Sequence, residues 1–197
     1  MKTYYVLLLM IFSMAAQAQL KPTHIFLSTG EKMVVKGKLR RDVFIYKRYD
    51  GDKRKKIGFD EIDHVDIFET KDSITRYRRI RVQDEEKPVV VQEVKTGKVN
   101  LYMASFGVRT AMPMSSAGGF GGFGIPMTYD IENYYLRREG EKKAVHLGAN
   151  KLFTNNFREA ASDYFKDCPP LVEKIQQKTF KKRHLKEIVR FYNTECR

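Results

Sequence analysis

The sequence lacks most of the residue patterns by which enzymes and metal proteins are recognised. It has two cysteines and four histidines, and they form no Cys-x-x-Cys, no His-Glu-x-x-His and no other recognisable zinc spacing. No serine lies in a Gly-x-Ser-x-Gly setting, and no Gly-Lys-Ser/Thr follows the glycines. The sequence therefore contains no recognisable motif for catalysis, metal binding or nucleotide binding. We expect a protein that is not an enzyme and that binds no metal or cofactor.

Long apolar runs are also missing. The longest, Tyr4 to Ala16, has about 13 residues, whereas a helix that spans a bilayer needs about 20. It follows Lys2 and leads into Ala-Gln-Ala at residues 16–18, which is the order of a signal peptide and its cleavage site. We therefore expect residues 1–18 to be removed after Ala18 and the mature protein to be periplasmic or secreted. No cysteine at this site offers a lipid anchor.

Acidic residues are few relative to basic ones. The chain has 37 Lys and Arg against 24 Asp and Glu, a formal net charge of +13, which becomes +12 without the single lysine of residues 1–18. In an exported protein this excess favours an anionic envelope polymer, a lipid head group or an acidic protein surface as partner, and it makes nucleic acid a weaker alternative. A solvated basic face explains the charge equally well.

The basic residues are concentrated in four runs. These runs are Lys36 to Arg41, Lys47 to Lys56, Arg76 to Arg81 and Lys178 to Lys186. If they bind an anionic partner, arginines of the third run should line one face of the fold. The candidate binding residues are Arg76, Arg78, Arg79, Arg81, Lys53, Arg54, Lys55 and Lys56.

Short strands and turns alternate over the middle of the chain. Val43–Tyr46 is rich in β-branched and aromatic residues, which are typical of strands. Asp50-Gly51 is typical of a hairpin turn, because glycine supplies the positive φ that tight hairpins require. We expect one helical turn at residues 60–62, and two later hairpins that turn near Gly97 and Gly140.

This pattern predicts an α+β protein with an antiparallel β-rich body over residues 19–148. Within the body, residues 23–68 resemble a small SH3-like or Sm-like barrel in the number and length of their strands. Residues 73–148 predict a second set of strands arranged as hairpins. The mature chain is long enough for one or two compact units.

A glycine-rich stretch interrupts the second set of strands. Backbone N–H groups freed by glycine can cradle an anion, but this stretch lacks the strand-to-helix junction of a nucleotide site. We therefore expect a flexible loop over residues 107–128. Phe120 and Phe123 would then form a mobile apolar contact surface.

The apolar period changes to that of a helix near residue 155. Phe157, Ala161 and Tyr164 fall on one helix face, and Leu185 and Ile188 repeat this spacing later. Between them, a pair of prolines begins a short second helix, since proline is tolerated in a first helical turn. The pattern predicts a three-helix segment over 149–197.

The two cysteines lie at the ends of these helices. Cys168 closes the first helix and Cys196 follows the last, so a disulfide would tie the end of the chain to the first helix corner. An even cysteine count in an exported chain permits such a bridge, and two free thiols are the alternative. The chain-entropy relation assigns a loop of this length about 3.5 kcal/mol of stabilisation.

One acidic cluster offers the alternative of an enzyme. Asp60, Glu61 and Asp63 lie beside His64, and carboxylates near an imidazole can act in general acid–base catalysis. Calcium loops require oxygen ligands at alternate positions and a glycine in the turn, which this stretch does not have. A hydrolase would have to complete such a site with distant residues. Solvated acids opposite basic strands are the simpler interpretation.

Several motifs of residues 89–197 resemble those of one family. They are Gly97-Lys98-Val99-Asn100-Leu101-Tyr102, Asp167-Cys168-Pro169-Pro170, and Tyr192-Asn193 followed by Cys196. This combination resembles a group of exported, uncharacterised proteins of Bacteroidota. The resemblance implies export and a sheet-rich half that precedes a helical ending, and it brings no catalytic residues. The glycine-rich loop is where this chain departs from the family.

The function favoured by the sequence is that of an exported, non-enzymatic protein of the cell envelope, either structural or binding another macromolecule. An envelope hydrolase is the alternative, and nucleic-acid binding is a weaker one. The expected partner is an envelope polymer or a protein, without a small-molecule cofactor. Contact with a membrane surface is compatible with the charge, and no transmembrane segment is expected in the mature chain.

Overall fold

The computed structural model describes residues 20–112, 125–149 and 157–196. They contain ten β-strands followed by three α-helices, which confirms the predicted α+β class. The chain divides between Arg78 and Arg79 into two compact units. The strands are β1 Lys21–Leu27, β2 Lys32–Arg40, β3 Val43–Lys47, β4 Lys55–Gly58, β5 Ile62–Thr70, β6 Ser73–Val82, β7 Val89–Lys95, β8 Val99–Met112, β9 Ile125–Arg138 and β10 Lys143–Ala149, and the helices are α1 Phe157–Tyr164, α2 Pro169–Gln176 and α3 Leu185–Glu195.

The first unit is an antiparallel sheet built mainly from sequential hairpins. β1 lies between β2 and β5, and β3 and β4 follow β2. Ile25, Phe44 and Val65 are fully buried in it. The five strands expected between residues 23 and 68 are present. However, β4 ends the strand order, so no ladder among the described strands closes this set into the barrel that the sequence suggests.

Of two turns predicted from the sequence of the first unit, one is present and the other is not. The turn at Asp50-Gly51 is confirmed, because Gly51 has φ +104° and the N–H of Asp52 donates to the carbonyl of Tyr49 at 3.2 Å. The helical turn expected at residues 60–62 is wrong. The N–H of Glu61 donates three residues back, and β5 already begins at Ile62. The β-branched and apolar residues that follow extend the strand.

The second unit contains a closing ladder, which is not found among the described strands of the first. β7, β8, β9 and β10 are successive neighbours, and β10 also pairs in parallel with the end of β6, where Ala144 faces Val82. The N–H of Gln83 adds a bond of 2.8 Å to the carbonyl of Ala144. Because β6 also neighbours β7, these five strands close into a small barrel. Its interior cluster consists of Ile80, Val82, Val91, Tyr102, Ala104, Tyr135 and Ala144.

The three helices cover the outer face of this barrel. Side chains alternate along a strand, so Leu101 and Leu136 point away from the barrel interior while Tyr102 and Tyr135 point into it. The outward leucines pack with buried residues of all three helices. These helix residues are Ala161, Phe165, Leu171, Ile175, Leu185, Ile188, Val189 and Tyr192.

β8 and β9 form a hairpin longer than the sequence suggests. They pair in unbroken antiparallel register from Val99 opposite Arg138 to Met112 opposite Ile125. Residues 107–112 and 125–128 are therefore strands, although the sequence predicts a loop there, because each arm supplies the hydrogen-bonding partners of the other. The remaining loop residues, including Phe120 and Phe123, lie outside the described residues.

A disulfide joins Cys168 to Cys196, with their Cα atoms 5.6 Å apart. Both cysteines are buried in the core between the helices and the barrel. The bridge connects the start of α2 to the end of α3, as the sequence predicts. The alternative of two free thiols is therefore wrong.

Replacing both cysteines by alanine should destabilise the protein by about 3.5 kcal/mol, because the unfolded chain regains the freedom of the closed loop. Urea unfolding followed by circular dichroism measures this difference. A reductant should lower the wild-type free energy of unfolding to that of the double variant and leave the variant unchanged. Equal stability of the oxidised wild type and the variant would contradict this role.

Candidate anion-binding surface

The basic residues of the first unit are concentrated on three neighbouring strands. Residues 32–56, which form β2, β3 and β4 with their turns, contain eleven Lys and Arg against three Asp, a formal excess of eight charges. No comparable excess is found in residues 57–78, which contain three Lys and Arg against six Asp and Glu. We name this set the β2–β4 basic surface. Its cations are Lys32, Lys36, Lys38, Arg40, Arg41, Lys47, Arg48, Lys53, Arg54, Lys55 and Lys56.

The candidate run Lys53, Arg54, Lys55 and Lys56 lies at the edge of this surface. It spans the turn after β3 and the start of β4, and all four residues are exposed. Since β4 is the last strand of the sheet, a partner can approach this run from the side as well as from the face. Lysines also protect a sheet edge from pairing with other chains, so their position fits a structural role too.

A cleft of about 560 Å³ lies within the basic surface. Lys36 of β2 and Lys47 of β3 face each other in the strand register. The carboxylate of Asp50 lies between them and accepts from the Nζ of Lys36 at 2.8 Å and from the Nζ of Lys47 at 2.9 Å. The cleft is lined by Leu20, Lys36, Lys47, Asp50, Gly51, Asp52 and Arg54.

These contacts determine the protonation of Asp50. Hydrogen bonds from Lys36 and Lys47 lower the pKa of its carboxyl to about 2. The carboxylate is therefore ionised at any pH at which carboxylates of a polymer are ionised. Sequence reasoning identified the two basic runs but missed that hairpin pairing brings Lys36 opposite Lys47.

The arginines of β6 do not form one surface. Alternation along the strand places Arg76 and Arg78 on one face and Arg79 and Arg81 on the other, so the expectation that Arg81 lines the same face as Arg76 and Arg78 is wrong. Arg76 makes two hydrogen bonds, of 2.7 and 2.8 Å, to Asp66.

Acidic residues offset the β6 arginines on both faces. Burial raises the pKa of Asp66, but the bonds from Arg76 outweigh this and hold the pKa below its usual value. Arg78 lies 3.9 Å from Asp63. On the opposite face, Arg79 and Arg81 share a cleft of about 430 Å³ with Glu85, Glu86 and Lys143. The arginine set is thus less cationic in the fold than in the sequence.

Of the acidic cluster, the structure brings Asp63 and His64 together. The Nδ1 of His64 lies 2.6 Å from the Oδ2 of Asp63, and the imidazole stacks on Phe26 with ring centroids 4.2 Å apart. Ser28, which sequence reasoning did not select, lines the same shallow cleft of about 390 Å³. Asp60 and Glu61 are exposed in the preceding turn. Within the described residues, no group of three His, Cys, Asp or Glu could hold a metal ion.

The family-like motifs at the C-terminal end serve the packing of the helices. Arg138, the last residue of β9, makes two hydrogen bonds, of 2.8 and 2.9 Å, to the carboxylate of Asp167. Its guanidinium also donates to the carbonyl of Tyr164 at 2.6 Å and to the hydroxyl of Tyr192, which in turn donates to Asp167. We name these residues the Arg138 cluster. Sequence reasoning missed Arg138, because no local pattern links it to Asp167.

Asn193 attaches α3 to the start of β8. Its side chain accepts from the N–H of Val99 at 2.9 Å and donates to the Val99 carbonyl at 2.9 Å. A Cβ at Gly97 would lie 2.5 Å from the Asn193 amide, so glycine is required there. Lys98 donates to the carbonyl of Cys196 at 2.6 Å. The motif residues at 97–99 and 193–196 are therefore structural contacts.

No protein-family model, curated protein or solved structure matches this chain. Among the described residues, no helix has the length and apolar character needed to cross a membrane.

Asp167→Asn should destabilise the protein by about 1 kcal/mol at neutral pH, a value that allows for the partial exposure of the ion pair. The guanidinium of Arg138 holds the pKa of Asp167 at about 2, below the unfolded value near 3.9. The stabilisation is therefore complete above the unfolded pKa and lost as the pH falls through the folded pKa. Urea unfolding at several pH values should show the wild-type advantage shrinking over that range.

Asp163→Asn provides the matched control for this charge removal. Asp163 makes one ion pair of 3.4 Å with Lys166, and its side chain is 80% exposed. Its replacement should change the free energy of unfolding by less than about 0.5 kcal/mol. Equal effects of the two substitutions, or an Asp167→Asn effect that does not depend on pH, would refute the role of the Arg138 cluster.

Proposed function

We propose that the protein is exported and that it binds an anionic polymer of the cell envelope, without catalysis, through the β2–β4 basic surface. The observation that carries the proposal is the excess of eight positive charges on residues 32–56. Charges this close together add their potentials, because the Debye length at physiological ionic strength is about 8 Å. A polymer with repeated acidic groups can contact several of these cations at once.

The shape of the surface favours a polymer over a small ligand. Most of its cations are exposed on strands and turns, and the cleft among them is wide and open. Small-molecule sites are instead concave and predominantly apolar. A polymer lying across the strands would contact both the cleft and the edge run at 53–56.

Export is supported by the disulfide and by the signal-like first 18 residues. Disulfides persist in the periplasm and outside the cell and are rare in the cytoplasm. The bond between Cys168 and Cys196 lies in the core between the helices and the barrel. We therefore assign the mature protein to the periplasm or the exterior, in line with the resemblance to exported Bacteroidota proteins.

A non-enzymatic role is supported by how the motif residues are used. Asp167, Tyr192 and Asn193 make the contacts that dock the helices on the barrel, and the cysteines are paired. The polar groups of these residues hydrogen-bond to other groups of the protein in the folded state. Their presence in the family-like pattern is explained by folding.

The contact between Asp63 and His64 favours an envelope hydrolase as the second candidate. A carboxylate that binds Nδ1 orients an imidazole as a general base towards a hydroxyl, and Ser28 lines the same cleft. This candidate would be favoured if the wild type hydrolyses p-nitrophenyl acetate and both Ser28→Ala and His64→Gln lose that activity. Equal rates in the wild type and both variants would reject it.

The mature protein should bind dextran sulfate and not neutral dextran. Counterion release predicts that the affinity falls about a hundredfold between about 50 and about 200 mM salt if about four cations contact the polymer. Isothermal titration calorimetry measures this dependence. Binding that is indifferent to salt, or equal binding of both dextrans, would refute the proposal. A duplex DNA of matched charge distinguishes nucleic acid, and tighter binding of the DNA would favour that alternative.

Replacing the four cations at 53–56 by glutamine should weaken binding of dextran sulfate at least about tenfold at low salt. The matched control removes four exposed cations of the second unit and so has the same net charge. It should weaken binding less than about threefold, because these residues lie outside the surface. Equal losses would assign the binding to net charge alone. The control residues are Lys142, Arg158, Lys186 and Arg190.

A further inference from the structure

Lys36 and Lys47 form an electrostatically unusual pair. They face each other on adjacent antiparallel strands, and like charges directly opposite in a sheet repel each other. The carboxylate of Asp50 lies between their ammonium groups, 2.8 Å from one and 2.9 Å from the other. The pair is therefore arranged to hold one anionic group, and in the free protein that group comes from the chain itself.

We propose that Lys36 and Lys47 bind one acidic group of the polymer, a carboxylate, sulfate or phosphate, and that Asp50 occupies this subsite until the polymer displaces it. The inference rests on the proposed function of the β2–β4 basic surface. Asp50 is then an internal competitor that sets the affinity of the surface. It prevents weakly charged polymers from binding, because a ligand must first replace an existing ion pair.

The exposure of the three side chains makes this displacement feasible. The side chain of Asp50 is 71% exposed, that of Lys36 50% and that of Lys47 23%. Exposed ion pairs are weak and are screened by salt, so a multivalent ligand can compete with a single carboxylate. Asp50 lies at the tip of a turn, and the open cleft around it holds about 560 Å³.

Arg54 and Asp52 line the same cleft and have different roles. Arg54 adds a third cation beside the lysines. The carboxylate of Asp52 accepts from the N–H of Tyr49 at 3.0 Å and so stabilises the turn. Asp50 is thus the acid that bridges the lysine pair. Its pKa of about 2 keeps it charged at any pH at which a polymer carboxylate is charged, so competition near neutral pH does not depend on its protonation.

The test compares Asp50→Asn with Asp42→Asn in the mature protein. Both substitutions remove one negative charge from the same basic segment. Asp42 lies in the turn between β2 and β3, beyond the paired residues Arg40 and Val43, which lie four residues along each strand from Lys36 and Lys47. Asn-Gly is a strongly favoured hairpin turn, so Asp50→Asn preserves the turn chemistry. Thermal unfolding verifies that both variants are folded, and Asp50→Ser serves as a second replacement.

Asp50→Asn should lower the Kd for dextran sulfate about threefold to tenfold and steepen the salt dependence by one or two counterions, because two cations are freed for the polymer. Asp42→Asn should have less than half of this effect. Adding Lys36→Gln and Lys47→Gln to Asp50→Asn should abolish the gain. Polygalacturonate tests carboxylates in the same way. A gain in affinity for one of the two polymers and not for the other identifies the acidic group that the subsite binds.

The outcomes separate this inference from the function on which it rests. If neither the wild-type protein nor Asp50→Asn binds either polymer, the proposed function and the subsite are refuted together. Salt-dependent binding with equal effects of Asp50→Asn and Asp42→Asn would refute only the subsite. Weaker binding by both Asp50→Asn and Asp50→Ser would show that Asp50 supports the hairpin and does not compete.

Discussion

The hydrogen bonds between Arg138 and Asp167 connect the two layers of the second unit. Arg138 ends a barrel strand and Asp167 precedes the second helix, so their contact joins the helices to the barrel. The disulfide and Asn193 then attach the end of the chain to the same layer. These contacts use the polar residues of the C-terminal motifs, whereas the proposed binding surface lies in the first unit.

In the first unit, charge is distributed unevenly between strands that share one sheet. β5 and β6 pair their cations with acids, as Arg76 does with Asp66, whereas β2, β3 and β4 gather an excess of cations. The repulsion within that excess is relieved locally by Asp50. On the proposed function, repulsion among these cations would be relieved further when an anion binds. The proposed subsite follows from the same repulsion.

Local patterns made much of this fold predictable from the sequence. The helical period, the hairpin turns and the disulfide depend on neighbouring residues or on a count of two cysteines. The parallel closure of β10 on β6 and the contact of Arg138 with Asp167 join distant segments, and no local pattern encodes them. Likewise, the sequence of β6 alone does not show that strand pairing places Asp66 opposite Arg76 and offsets its charge.

The most direct test of the central claim is to titrate the mature protein with dextran sulfate and to measure, by heteronuclear NMR, the chemical-shift change of each backbone amide. The account predicts that the largest shifts fall within residues 32–56, with Asp50 and Gly51 among them, and that they disappear at high salt. Shifts concentrated on β6, or on the C-terminal helices, would contradict the assignment of binding to the β2–β4 basic surface.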